Sequence, residues 1–382
     1  MERKHRGLVY ALIFFASIVG FLAVFSIWAK RQALETDNWV KTSSELLEDE
    51  EIRTQLADFM TDELFTNVDV QAELNKKLPP DLQPISGPAA AGLRQLTNNL
   101  ANKALQQPRV QEAWENINRT AHEKLIAVVE DNSGEPVTLD LGTILTEVGN
   151  QVGIDVAGKL PPDAGEITII KADNLSTAQK VVDLIQKLAV FLTLAAILMF
   201  ALAIYLAQGW RREALRSIGF AFILVGIAVI VARNLAGDYI VNELSSTASV
   251  EPAVDDAWNI STSLLDAGGG AVVFYGIFIL LGAWLAGPGP VATGARRGIT
   301  PVMENRVVGY GALAFLLLLL FWWSPTEGFH RLPTSILIIL LLVIGFEFLR
   351  RQAVQEFPDE TWEKGSERMR NAGQSLLDRR KT

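Results

Sequence analysis

Long apolar blocks alternate along the chain with stretches dominated by acids, amides and prolines. The blocks have lengths near the roughly 20 residues that a helix needs to cross about 30 Å of hydrocarbon. The first runs from Gly7 to Ala29, and five more lie at about Leu188 to Ala207, Ile218 to Ala232, Ala271 to Ala286, Val308 to Trp323 and Ser335 to Leu349. Six transmembrane helices are expected. The first reads as an anchor, because its apolar core continues to Ile27 and Trp28, past the roughly 7 to 15 residues of a cleaved signal peptide.

Arginine in short loops marks the cytoplasmic side. Arg211, Arg212 and Arg216 follow the second block, Arg296, Arg297 and Arg306 follow the fourth, and Arg350 and Arg351 follow the sixth. Both termini are therefore expected in the cytoplasm. The expected division is a cytoplasmic start over residues 1–6, a first span over 7–29 and an extracytoplasmic domain over 30–186. A five-helix membrane region over 187–350, with an external helical segment at 237–266, and a cytoplasmic tail over 351–382 complete it. The external face is acidic: Leu34 to Gln186 holds 26 acidic residues against 12 basic ones, and Gly237 to Asp266 holds six acids and no base. Lys30 and Arg31 depart from the rule, and either snorkel to headgroups or pair with Glu35 and Asp37.

Within the long polar stretch, Leu46, Leu47, Ile52, Leu56, Phe59, Met60 and Leu64 approximate a helical stripe over Trp39 to Leu64, with Thr42, Ser43 and Ser44 as candidate caps. Pro79, Pro80, Pro84, Gly87 and Pro88 break the chain, and Ala89 to Glu130 reads as two helices divided near Pro108. After a turn at Asp131 to Gly134, Val137 to Leu141 and Glu166 to Lys171 alternate like strands, with a helix at Thr143 to Val152 between them. The fold class is mainly α, six membrane helices plus a mostly helical extracytoplasmic domain with a two-stranded β element. No breaker interrupts Leu175 to Gly209, so an external helix should run directly into the second span. Its seam of Leu175, Ala178, Val182, Ile185 and Ala189 either gives external changes a rigid route inward or is the packing face of any apolar helix.

Composition then removes whole classes of chemistry. With no cysteine and three scattered histidines, His5, His122 and His330, a disulfide framework, a thiol nucleophile and a histidine-rich metal site all drop out. A net charge of −9 argues against a nucleic-acid partner, which needs a clustered basic surface. No nucleophile-elbow or phosphate-cradling glycine motif is present; Gly268, Gly269 and Gly270 fit a kink or close helix packing better. No catalytic residue, cofactor or metal ligand is nominated.

Ionisable groups within the spans are the best sequence marker of an ion or substrate path, because a charge at mid-membrane costs at least about 2.5 kcal/mol. They are nearly absent. Arg233, Asp238 and Asp266 fall at outer span ends, where they form either an external polar cluster for a headgroup or ligand, or interfacial pairs that fix depth. Glu347 and Arg351 have the spacing of a structural i, i+4 pair. Asn259 to Thr262 echoes Asn174 to Thr177, and Trp284-Leu285-Ala286 echoes Tyr205-Leu206-Ala207; the short match reads either as a duplicated hairpin or as chance. Asn118-Arg119-Thr120 and Asn174-Leu175-Ser176 match glycosylation acceptors, a pattern that arises easily.

One anchor, then Asp37-Asn38-Trp39-Val40 before the acidic helix, Leu160-Pro161-Pro162-Asp163-Ala164-Gly165 before a strand, and Leu285-Ala286-Gly287-Pro288 together carry a resemblance. The chain resembles uncharacterised actinobacterial-type integral membrane proteins with a large extracytoplasmic domain after the first span. The likeness covers most of the chain and implies a bacterial plasma membrane; it supplies no site residues. The function expected from the sequence is a non-enzymatic membrane protein whose acidic external domain binds or senses an envelope component, within an assembly. The rival is a transporter or lipid-handling protein with a path among spans two to six. Partners are the bilayer and an envelope protein or lipid, with an oligomer allowed.

Overall fold

The computed structural model describes residues 5–67, 69–130, 137–140, 166–170, 172–245, 247–360, 363, 364 and 367. Among them, six helices are long and apolar enough to cross a membrane: Arg6–Leu34, Ser176–Leu206, Arg211–Leu244, Ser263–Leu285, Arg306–Trp323 and Leu332–Glu356. This is the signature of a multi-pass membrane protein. The chain divides into two compact units, one of Met1–Leu22, Leu192–Ile230 and Ala267–Thr382, the other of Ala23–Phe191 and Val231–Asp266.

In chain order the helices are α1 (Arg6–Leu34), α2 (Thr36–Glu48), α3 (Glu50–Asn67), α4 (Val70–Lys77), α5 (Ser86–Leu105), α6 (Pro108–Glu130) and α7 (Ala172–Leu206). They continue with α8 (Arg211–Leu244), α9 (Glu251–Ser261), α10 (Ser263–Leu285), α11 (Pro290–Glu304), α12 (Arg306–Trp323) and α13 (Leu332–Glu356). Strands β1 (Val137–Asp140) and β2 (Glu166–Ile170) pair antiparallel, Leu139 opposite Ile167. The turn at Asp131 to Gly134, the helix expected at Thr143 to Val152, the Leu160 to Gly165 motif and most of the tail beyond Pro358 lie outside the described residues.

In the first unit, α7 and α8 are joined by a tight turn that Gly209 makes possible by taking φ +81°, a conformation that side-chain-bearing residues avoid. The Trp210 that follows turns inward and packs with Val9, Ile13, Ala203, Ala207, Ala214 and Ile218. Arg6 stacks 5.7 Å from the Trp210 ring and pairs with Glu213 at 3.5 Å. Farther along α8, two glycines seven residues apart meet two on α10. A Cβ on Gly226 would lie 2.5 Å from the Gly269 carbonyl oxygen, and one on Gly219 would lie 3.1 Å from that of Gly276. The two backbones are thus as close as helices approach, in the manner of small-residue membrane interfaces.

The α11 helix falls where the sequence predicts a loop. Pro290 starts it, and Ala292, Arg296, Thr300 and Met303 form its buried stripe. The stripe has helical spacing, but an arginine occupies one of its four positions, which hides the pattern from a hydrophobicity reading.

The second unit is built on two helix pairs, α2 with α6 and α3 with α5, and α9 packs on α2 and α3. The single helix expected over Trp39 to Leu64 is two helices. Asp49 takes an extended conformation and its carboxylate accepts the Ile52 N–H at 3.0 Å, so it caps α3, with Glu50 and Glu51 favourably placed in the first turn. Thr42 and Ser43, read as caps, are instead buried inside α2. The Thr42 hydroxyl accepts from Gln32 at 2.9 Å, and the Ser43 carbonyl accepts from the Trp114 indole at 3.0 Å.

The α3–α5 seam is polar. Thr54 bonds Asn102, Asp58 bonds Asn98 and Asp62 bonds Arg94, a ladder whose four-residue step on each helix makes the pair antiparallel. The division near Pro108 and the uninterrupted helix through Leu188 are both present, as the breaker pattern predicts.

Candidate functional site

Three places carry polar or apolar groups that the fold leaves available. The first is the cluster expected at Arg233, Asp238 and Asp266. Arg233 gives its Nε to the Thr262 hydroxyl at 2.8 Å, one Nη to the Asn259 side chain at 2.8 Å and the other to Asn234 at 3.1 Å. Thr262 is buried and bonds the Trp258 carbonyl at 2.6 Å. The guanidinium is therefore spent on tying α8 to the α9–α10 corner, and it takes amide and hydroxyl partners instead of Asp238 or Asp266. Asp238 opens onto a separate cavity of about 480 Å³ that also takes in Asn242, Glu251 and Asp255. Asp256, also on α9, is pushed above the ordinary carboxylate range by burial and then by the charges of Asp49 and Asp255.

The second place is the outer face of α5. Ala89, Leu93, Leu96 and Leu100 follow the 4-3-4 spacing of a helix-pairing seam. Their side of the helix is turned away from the ladder to α3, and Leu93, Leu96 and Leu100 stand 40%, 53% and 57% exposed. The neighbouring Gly92, Thr97, Asn99 and Ala101 carry no charge, and Lys103 takes the next seam position after Leu100.

The third is a cavity of about 790 Å³ in the first unit, at the start of α8, just past the end of α10 and at the end of α13. Among the described residues three guanidinium groups line it, those of Arg212, Arg296 and Arg351, with Glu356 as the one acidic side chain. Arg296 is only 1% exposed. It bonds the carbonyls of Leu285 and Gly287, and its fork grips both oxygens of Glu356 at 2.8 Å. The sequence reading uses Arg212, Arg296 and Arg351 only as markers of orientation or pairing. The signal that could have joined them is topological, since alternating spans put these three ends on one side of a bilayer.

Among the described residues, no group of three His, Asp or Glu is placed to hold a metal ion. Glu347 pairs with Arg350 at 2.8 Å and Arg351 at 2.7 Å and accepts the Tyr310 hydroxyl at 2.9 Å, a structural knot at the end of the last span.

No protein-family model, no curated protein and no solved structure matches the chain.

Proposed function

We propose that this is a non-enzymatic plasma-membrane protein, both termini cytoplasmic, whose acidic extracytoplasmic unit binds a helical protein of the cell envelope while six spans anchor it. The observation that carries the reading is the exposed Leu93, Leu96, Leu100 seam on α5. An apolar stripe at helix-pairing spacing, left uncovered on a helix whose opposite face is occupied, is what a partner helix would bury. The charged residues of α5 itself are Arg94 and Lys103, both basic, so the seam favours a partner whose own stripe is bordered by acidic residues.

The test is proximity labelling in intact cells from a tag beside α5, comparing the full chain with the Leu93→Ser, Leu96→Ser, Leu100→Ser triple variant. These side chains are exposed, so the variant should insert and fold. Reproducible envelope partners of the full chain should be lost in the variant. An identical labelling profile from both proteins would overturn the reading.

The second reading, lipid handling among the spans, draws its support from the arginine-lined cavity.

A further inference from the structure

We infer that the cavity bounded by Arg212, Gly287, Phe348 and Arg351 is a binding site for a phosphate group, that of an anionic membrane phospholipid or of a soluble phosphate. The inference is independent of the envelope partner proposed above.

The division of labour among the three arginines points to it. Arg296 spends four of its five donors on two carbonyls and both oxygens of Glu356, so its charge is matched and its role is to shape the wall. Arg212 is the opposite case. Its Nε is shut off from solvent and has no hydrogen-bond partner among the described residues, an arrangement that native proteins rarely leave unfilled. Arg351 gives its Nε to Glu347 and is otherwise open at the cavity. Both guanidinium groups line one space, Arg351 open to it and Arg212 holding a sealed donor that no protein group among the described residues takes up, and planar donor forks are the group of choice for phosphate oxygens.

The remaining walls suit the same ligand. Gly287 presses against Arg212: a Cβ there would lie 3.6 Å from the guanidinium carbon and 2.7 Å from the Trp284 carbonyl oxygen. A side chain at that position would crowd the space beside the guanidinium. Phe348 offers an exposed apolar face on the last span, along which an acyl chain could run while the headgroup sits among the arginines. Basic pockets between span ends are the physical form of an anionic-lipid site, and a volume of about 790 Å³ accommodates a phosphodiester headgroup.

The experiment uses the full chain in nanodiscs made of phosphatidylglycerol or of phosphatidylcholine, with retained lipid counted by native mass spectrometry. A parallel arm titrates inorganic phosphate into the detergent-solubilised protein by calorimetry. Wild-type protein is compared with Arg212→Gln and Arg351→Gln, and with Arg216→Gln, which lies off the cavity, as a charge control. Arg351 is exposed, so its variant keeps the test valid if Arg212→Gln fails to fold.

Retention of phosphatidylglycerol over phosphatidylcholine, reduced about tenfold, or about 1.4 kcal/mol, in either cavity variant and unchanged in Arg216→Gln, identifies the lipid source. Phosphate binding that the same variants abolish, without lipid preference, identifies the soluble source. Equal retention of both lipids together with no phosphate binding, or equal loss in all three variants, overturns the site.

Discussion

The imidazole of His122 lies flat on the indole of Trp39, ring centroids 5.1 Å apart and planes 20° from parallel. The stack fastens α6 to the start of α2. His122 is 3% exposed; its Nε2 faces the Ala33 carbonyl at 3.2 Å and its Nδ1 faces the Thr36 hydroxyl at 3.0 Å. A carbonyl can only accept, so the proton sits on Nε2 and Nδ1 accepts from Thr36. Both nitrogens of the neutral ring are satisfied.

Burial pushes the His122 pKa below its ordinary 6.5, so the unfolded chain takes up the proton first as pH falls. The stability contributed by the neutral ring is full above 6.5 and is lost as pH drops below that value toward the folded pKa. The thermal midpoint of the full chain should fall more steeply from about pH 7 to about pH 5 than that of His122→Asn, which does not titrate there. Parallel pH slopes for the two proteins would refute this.

Arg296→Gln should destabilise the first unit by about 3 to 5 kcal/mol, because it leaves Glu356 without its counter-charge and two carbonyls short of a donor. Arg296→Lys should recover little, since a single ammonium cannot span four acceptors. Denaturant midpoints, with hydrogen exchange over Pro290–Glu304, separate the outcomes; full rescue by lysine would contradict the fork geometry.

Gly226→Ala should cost about 1 to 3 kcal/mol by forcing α8 and α10 apart, whereas Gly270→Ala, with open space at its Cβ, should be tolerated. Unfolding in graded detergent denaturant reads both. Equal loss from the two variants would show that the seam carries no special contact.

A double-mutant cycle addresses Arg233. Arg233→Ala and Thr262→Val should be coupled by about 0.5 to 3 kcal/mol, while Arg233→Ala and Asp266→Asn should add independently. Coupling to Asp266 in place of Thr262 would restore the ion-pair view of that cluster.

The spans were legible because membrane crossing is written in composition, which needs no knowledge of neighbours. The helix division near Pro108 was equally plain. Asp49 was missed because Leu47 and Ile52 keep a helical rhythm across it, and only the acids at Glu50 and Glu51 hint at a new first turn. At α11 the rhythm was present but interrupted by Arg296, whose burial depends on Glu356, 60 positions away. The candidate cluster was drawn from three ionisable residues at outer span ends, and the bonds of Arg233 run to Asn234, Asn259 and Thr262. Arg233 does sit at a corner of the fold, yet the uncharged Asn259 and Thr262 claim it, and hydrogen-bond geometry of that kind is invisible until the helices are placed. The arginine cavity required three distant chain segments to converge, which no local pattern encodes.

The paired glycines of α8 and α10 bear on biosynthesis. The glycines bring no side chain of their own to the contact and receive Leu280, Val273, Ile230 and Ile223, so few rotamers are frozen when the two helices meet. Gly219 and Gly226 emerge before Gly269 and Gly276, and every partner in the seam has been translated before α12 and α13 begin. The middle of the membrane unit is therefore able to assemble while its last two crossings are still to be inserted, and a ribosome stalled at Trp323, with α12 still in the exit tunnel, would already hold a closed pair.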